Sequence, residues 1–201
     1  MQRRLLLRAL LFAALLPQAA CNKAPASQAP LFQLTDITGA PFGGDFALSD
    51  HAGQRRSLQD YRGKVVALMF GYLHCPDMCP TTLLELKQVL QRLGPQAAAV
   101  QVLFVTLDPQ HDTAEVLSGA VARFDPRFVG LRGSEAEISQ LAEKFNLVYQ
   151  QLAVGFKAGG SIEHSAGVYV FDRGGKLRLY AAYGSSHVAL EHDLRLLLQE
   201  S

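Results

Sequence analysis

The sequence predicts an α/β fold, a central mixed sheet flanked by helices, and three observations carry that expectation. Two apolar runs, 64–70 (KVVALMF) and 99–107 (AVQVLFVTL), are each followed by a segment of helical periodicity, as buried strands with crossover helices are. Two further segments, AGVYVFD and KLRLYAAY, flank Arg173-Gly174-Gly175, which is a hairpin signal. An amphipathic segment, HVALEHDLRLLLQE, closes the chain.

Taken in order, 64–70 reads as a central strand covered on both faces. Pro80 is a suitable first helical residue. Leu83, Leu86, Leu90 and Leu93 then recur at helical spacing up to Gly94, a natural stop. Residues 99–107 form the next strand, and strand, helix, strand implies a right-handed crossover with parallel pairing. DPQHDTAEVLSGAVARF opens with turn residues and continues as a helix. Residues 134–145 are another helix, with Ser134 as cap and Glu137 three positions on, in capping-box spacing. A less regular stretch leads to the hairpin, whose turn begins at Asp172. This order is a thioredoxin-like layout, although a flavodoxin-like sheet would begin in the same way.

The first 20 residues read as an export signal: Arg3, Arg4 and Arg8 are basic, Ala9 to Leu16 is a short apolar core, and Ala19-Ala20 are small. The apolar run is too short to span a bilayer comfortably. Cys21 follows where a bacterial lipoprotein carries its lipidated cysteine, with Gln18 where Leu is usual; simple cleavage is the plainer alternative. Residues 21–30 are small, polar and Pro-rich, a flexible tether, and 31–201 suffice for one domain with its own core. The leader holds three of the 19 Lys+Arg and none of the 18 Asp+Glu, which leaves 16 against 18, net −2, for the rest. With no basic run, a nucleic-acid partner is not expected.

The chemistry concentrates at HCPDMCP, residues 74–80, where Cys75 and Cys79 lie between the buried strand and the next helix. Sites in open α/β sheets favour that end of a strand. If Cys21 is lipidated, these are the domain's two cysteines. Three readings stand open. A structural disulfide closing so short a loop stabilises little. Thiol–disulfide exchange needs an activated thiolate and a resolving neighbour, but thioredoxin-type enzymes place the pair one residue closer. Two thiolates with one imidazole suit a soft ion, cuprous copper above all, whereas zinc would require a fourth ligand. A peroxidase would need an arginine beside one activated cysteine, and the sequence shows no such neighbour.

Six histidines could complete a metal site. His164, in SIEHSAGVYVFD, lies in the irregular segment before the hairpin, placed to fold over the strand end; ligand and ordinary loop residue are evenly balanced there. His74 adjoins Cys75, but neighbours in extended chain point apart. His51, His111, His187 and His192 read as solvated. Asp77, between the cysteines, is either turn chemistry or an outer ligand for a more oxidised ion.

Three motifs then resemble the Sco/SenC family: DYRGKVVALMFGYLHCPDMCPTTL, with its G-[FY]-x-x-C-P-D-x-C-P core; VTLDPQHDTAEVL, similar to V-D-P-x-R-D-T-x-E; and IEHSAGVYVFD, similar to D-H-S-x-x-x-Y-x-x-D. Together they span most of residues 45–185 in the family's order. Glu163 stands where Asp is usual and His111 where Arg is usual, which puts the partner-facing charge in question and leaves the ligands intact. The resemblance implies a membrane-tethered thioredoxin-like domain in the bacterial cell envelope, on the periplasmic side. It implies a copper site made by Cys75, Cys79 and His164, with Asp77 as outer ligand, that takes Cu(I) and Cu(II). The implied function is delivery of copper to the binuclear centre in the copper-bearing subunit of cytochrome c oxidase, served by a copper donor and a thiol reductant. Reduction of that target's cysteines is the alternative. On the first reading this is an assembly factor rather than an enzyme in the strict sense; on the alternative it is a thiol-disulfide oxidoreductase.

Overall fold

The computed structural model describes residues 32–147, 149–152, 161–164 and 167–200, with the strands 149–152 and 161–164 described by their backbone. The export signal, Cys21 and the tether lie outside the described residues. The elements are β1 (Thr35–Asp36), β2 (Leu48–Asp50), β3 (Arg55–Arg56), β4 (Val65–Gly71), α1 (Met78–Leu93), β5 (Val100–Thr106), α2 (Ala114–Ala122), β6 (Val129–Arg132), α3 (Glu135–Lys144), β7 (Tyr149–Leu152), β8 (Ser161–His164), β9 (Gly167–Phe171), β10 (Leu177–Ala182) and α4 (His187–Gln199).

Eight strands form one sheet in the order β1-β10-β9-β4-β5-β6-β2-β3, and β7 and β8 form a separate antiparallel ribbon. β4 and β5 hold the centre because every residue of both is buried. They pair in parallel from Val65↔Val100 to Gly71↔Thr106. β6 continues the parallel set, whereas β9 returns antiparallel on the other side of β4. The sheet is therefore mixed, as expected.

So fully buried a pair requires cover on both faces. Phe104 of β5, Leu83 of α1, Ala120 of α2 and Phe124 just after it line one cleft, so α1 and α2 share a face, and α4 packs alongside α1. Side chains alternate along β4, so Phe70 points to the opposite face. There it meets Phe145, at the end of α3, edge to face at 5.2 Å, and Phe145 meets Tyr169 at 5.0 Å.

α3 begins with the expected capping box, Ser134 N–H donating to Glu137 at 2.7 Å and Glu137 N–H to Ser134 Oγ at 3.3 Å. The hairpin turn closes at Gly175, whose φ of 72° suits glycine, with Lys176 N–H donating to Asp172 Oδ1 at 2.9 Å. Two expectations need correction. α1 starts at Met78, so Pro80 is its third residue rather than its first and Cys79 lies within the first turn. A proline is tolerated there because the N–H groups of a first turn have no helical partner to lose. His164 is not in irregular chain: it ends β8, opposite Tyr149.

Candidate metal centre

β4 delivers the chain to Gly71, and the loop turns back where Cys75 N–H donates to Tyr72 O at 3.2 Å. Cys75 and Cys79 are both free and both buried, with 7% and 4% of their surface exposed. The Cys75 side chain and the Tyr72 backbone N–H are the polar neighbours that act on Cys79 Sγ. It is seated on bare glycine: a Cβ at Gly71 would lie 2.6 Å from Cys79 Sγ and 2.9 Å from Phe104 Cε2.

This environment disfavours charge on Cys79. Burial, the largest cause, pushes its thiol up to about 12; the neighbouring Cys75 sulfur and the Asp112 carboxylate add to the rise, and the Tyr72 N–H opposes it. Cys79 is thus a neutral thiol at pH 7. A soft cation that displaces the proton replaces it with the charge the pocket lacks, so the donor set fits cuprous copper.

Asp112 is the functional neighbour that sequence reasoning missed. Its carboxylate is fully buried and accepts the Leu73 N–H at 3.1 Å and the Thr106 hydroxyl at 2.6 Å, both on Oδ2. The end of β5 is thereby tied to the loop that carries Cys75. Burial raises the Asp112 carboxyl above its ordinary value, against the lowering effect of Thr106 and Leu73. Its Oδ1 has no hydrogen-bond partner among the described residues. Its place in a turn motif was visible in sequence, but its aim at the cysteine loop was not.

The structure sorts the remaining candidates. His74 is exposed while Cys75 is buried, as neighbours that point apart should be. Asp77 is exposed at the N-cap of α1 and caps nothing; its Oδ1 accepts the Thr81 hydroxyl at 3.4 Å. Three histidines expected to be solvated also have partners, His111 and His192 while keeping 36% and 41% of their side-chain surface exposed. His51 Nδ1 accepts the Gly130 N–H at 3.2 Å, and His111 and His192 each hold a carboxylate, Asp108 and Asp193, at 2.8 Å. An arginine shares a cleft with a cysteine, Arg123 and Cys79 lining the same cleft beside α1 and α2, but the Cys79 thiol there is raised rather than activated.

The side chain of His164 lies outside the described residues; its backbone is placed by register. β9 is antiparallel to β4 with Met69↔Val168 paired, so β9 starts level with the cysteine end of β4. His164 stands three residues before Gly167, a span of about 10 Å at most. Among the described residues no group of three or more His, Cys, Asp and Glu side chains forms a metal cage.

A mixed sheet of this order, with a thiol pair at the carboxyl end of its central strand, defines a thioredoxin-like domain. The SCO1/SenC family model matches residues 35–199, and the chain belongs to that family. It is 35% identical over 154 residues to the mitochondrial protein SCO2 homolog of Bos taurus, covering 76% of this chain and 58% of the relative. An SCO2-like protein of Rickettsia felis is 32% identical over 135 residues, 67% of this chain and 66% of its own length. The chain thus spans a little over half of its mammalian relative. Among solved structures, ScoI of Bradyrhizobium japonicum with copper bound superposes with a TM-score of 0.71 at 30% identity, covering 78% of this chain and 99% of that one. Apo Sco1 of Thermus thermophilus gives 0.71 at 34%, covering 83% and 99%.

Proposed function

We propose that this protein binds copper through Cys75, Cys79 and His164 and delivers it to the binuclear copper centre of cytochrome c oxidase. The observation that carries the reading is the pair of buried, free thiols at the strand end, in a family whose solved members include copper-bound proteins. Copper is the cargo. The two sulfurs supply soft donors, and their burial keeps water and harder ions away. His164 enters as third ligand because its strand leads directly into β9, whose first residues flank the end of β4. Cu(II) binding would engage Asp77 as an outer ligand from its exposed place on α1.

Cargo can leave only if both thiols stay reduced, so their redox state gates loading, and a thiol reductant and a copper donor complete the set of partners. Lipidation at Cys21 would hold the domain by its tether on the periplasmic side of the membrane. The alternative, reduction of the target's cysteines, draws on the same pair without needing His164. It requires an activated thiolate, and burial works against one at Cys79.

The test is copper stoichiometry and affinity of the reduced full chain under a competing chelator, beside Cys75→Ser/Cys79→Ser and His164→Ala. One tightly held copper in the wild type, lost in the double variant and strongly weakened by His164→Ala, is the expected result. Copper that is weak throughout, or indifferent to His164, would hand the lead to the reductase reading.

A further inference from the structure

Cys79 lines a cleft over β5, the neighbour of β4 opposite the strand that follows His164. The cleft, of about 240 Å³, opens between α1 and α2, walled by Cys79, Leu83, Phe104, Phe124 and Ala120, with Arg123 as its charged lining residue. Among the described residues Cys75 does not line it. Strand order separates the two approaches. His164 is followed by β9, which flanks β4 on one side, whereas the cleft lies over β5, which flanks β4 on the other. A molecule in the cleft can therefore reach Cys79 without crossing the histidine's side of the sheet.

We propose that this cleft docks a small anionic thiol, which reduces a Cys75–Cys79 disulfide by attack at Cys79. The inference rests on the pair being redox-competent, a condition of the proposed function. Three features select the occupant. The volume lies below the range of roughly 300–1,000 Å³ common for drug-sized ligands, so the cleft takes a small molecule. The walls are largely apolar and aromatic, which suits a thiol's hydrocarbon body. The Arg123 guanidinium makes no hydrogen bond or ion pair among the described residues, which leaves it available to a carboxylate.

The chemistry balances within two thiols. A thiolate attacks Cys79 Sγ, the new sulfur–sulfur bond forms as the Cys75–Cys79 bond breaks, and the electron pair leaves on Cys75, which takes a proton from water. A second thiolate attacks the small molecule's sulfur in the mixed disulfide. That releases a symmetric small disulfide and Cys79, which is protonated in turn. Two thiols are oxidised and one protein disulfide is reduced.

The test compares 3-mercaptopropionate with its neutral amide as reductants of the oxidised full chain, with rates expressed per thiolate. Arg123→Gln should lower the acid-to-amide rate ratio by about two- to fivefold, the scale of a partly exposed ion pair, and Arg123→Glu should lower it further. Ala120→Phe, which fills the cleft, should slow both thiols by about tenfold or more through lost access. A ratio unchanged in both Arg123 variants, or full speed in a folded Ala120→Phe protein, would overturn the proposal. If Ala120→Phe does not fold, the exposed Arg123 pair decides alone. Copper titration of the same proteins keeps the two readings apart: a wild type that holds no copper refutes the carrier function and leaves the rate ratio standing.

Discussion

Replacing Gly71 by alanine is the sharpest perturbation of the site, because it adds one methyl group where Cys79 Sγ rests. The added carbon would stand 2.6 Å from that sulfur and 2.9 Å from Phe104 Cε2. Comfortable non-bonded contact is roughly 3.5–4 Å, so the sulfur must retreat by about 1 Å. Cys79 sits in the first turn of α1 with Pro80 directly after it, which limits how far the backbone can yield. Overpacking of this kind costs about 1–3 kcal/mol, and at about 2–4 °C per kcal/mol for a domain of this size the Tm of the reduced apoprotein should fall by about 2–12 °C. Metal sites tolerate ligand displacements of only about 0.2 Å, so copper affinity should drop by about tenfold or more. A double-mutant cycle isolates the cause. In a Cys79→Ala background the clash with sulfur is gone and the contact with Phe104 remains, so the penalty of Gly71→Ala should shrink by at least about 0.5 kcal/mol without vanishing. Equal penalties in both backgrounds, or wild-type copper affinity in Gly71→Ala, would refute the seating of Cys79 on Gly71.

Asp112→Ala removes the acceptor of the Leu73 N–H and the Thr106 hydroxyl, which should cost about 1–3 kcal/mol in a urea titration; Asp112→Asn retains one acceptor oxygen and should cost less, and equal losses would count against the tie. The Arg127 guanidinium, bonded to Asp125 at 2.6 and 2.8 Å, holds that carboxyl below its ordinary value. Its folded pKa lies below the unfolded one, so the pair stabilises above about pH 4 and is lost as pH falls through the folded value. Asp125→Asn should therefore cost about 0.5–1 kcal/mol at pH 7, given how exposed Arg127 is, and nothing at pH 2; a deficit that persists in acid would sink the assignment. Since the Cys79 thiol is pushed up to about 12, copper bound there as proposed would release its proton. Apparent copper affinity should then rise by at least about tenfold per pH unit between pH 6 and 8, and a flat profile in chelator competition would exclude Cys79 as a ligand.

What could be read from sequence had local causes. The burial of β4, the Leu repeat of α1, the Ser134–Glu137 box and the Asp172 turn are each determined within about a dozen residues, by periodicity, capping or turn chemistry. The short strands were invisible because only tertiary pairing makes them strands: β1 exists by lying against Tyr180 and Leu179, and β2 by lying between β3 and β6. The same holds for the site. The cysteine pair is a local motif and was legible. The Asp112 tie, the Gly71 seat and the approach of Arg123 depend on β4, β5 and α2 being neighbours, and no spacing in the chain encodes that directly. His51 repeats the lesson, since its partner Gly130 lies 79 positions away, and so does Asp193, whose buried carboxylate is fixed by the distant Gln33 and Leu34 N–H groups.

Metal carriage and thiol exchange make opposite demands on the same two sulfurs, and the surroundings of Cys79 bear on which prevails. An exchanging thiol gains from an electropositive, partly open setting that stabilises its anion. Cys79 has the reverse, a buried seat against Gly71 and Phe104 with the Asp112 carboxylate nearby. Such a setting leaves Cys79 itself slow to attack a disulfide, while a soft cation can still enter by exchanging for the proton. Reduction by an incoming thiolate is unaffected, because the nucleophile then belongs to the visitor and Cys79 need only be reachable. A buried Cys79 that lines one cleft is thus a poor nucleophile that can still be attacked, which is the combination the proposed copper carrier would need.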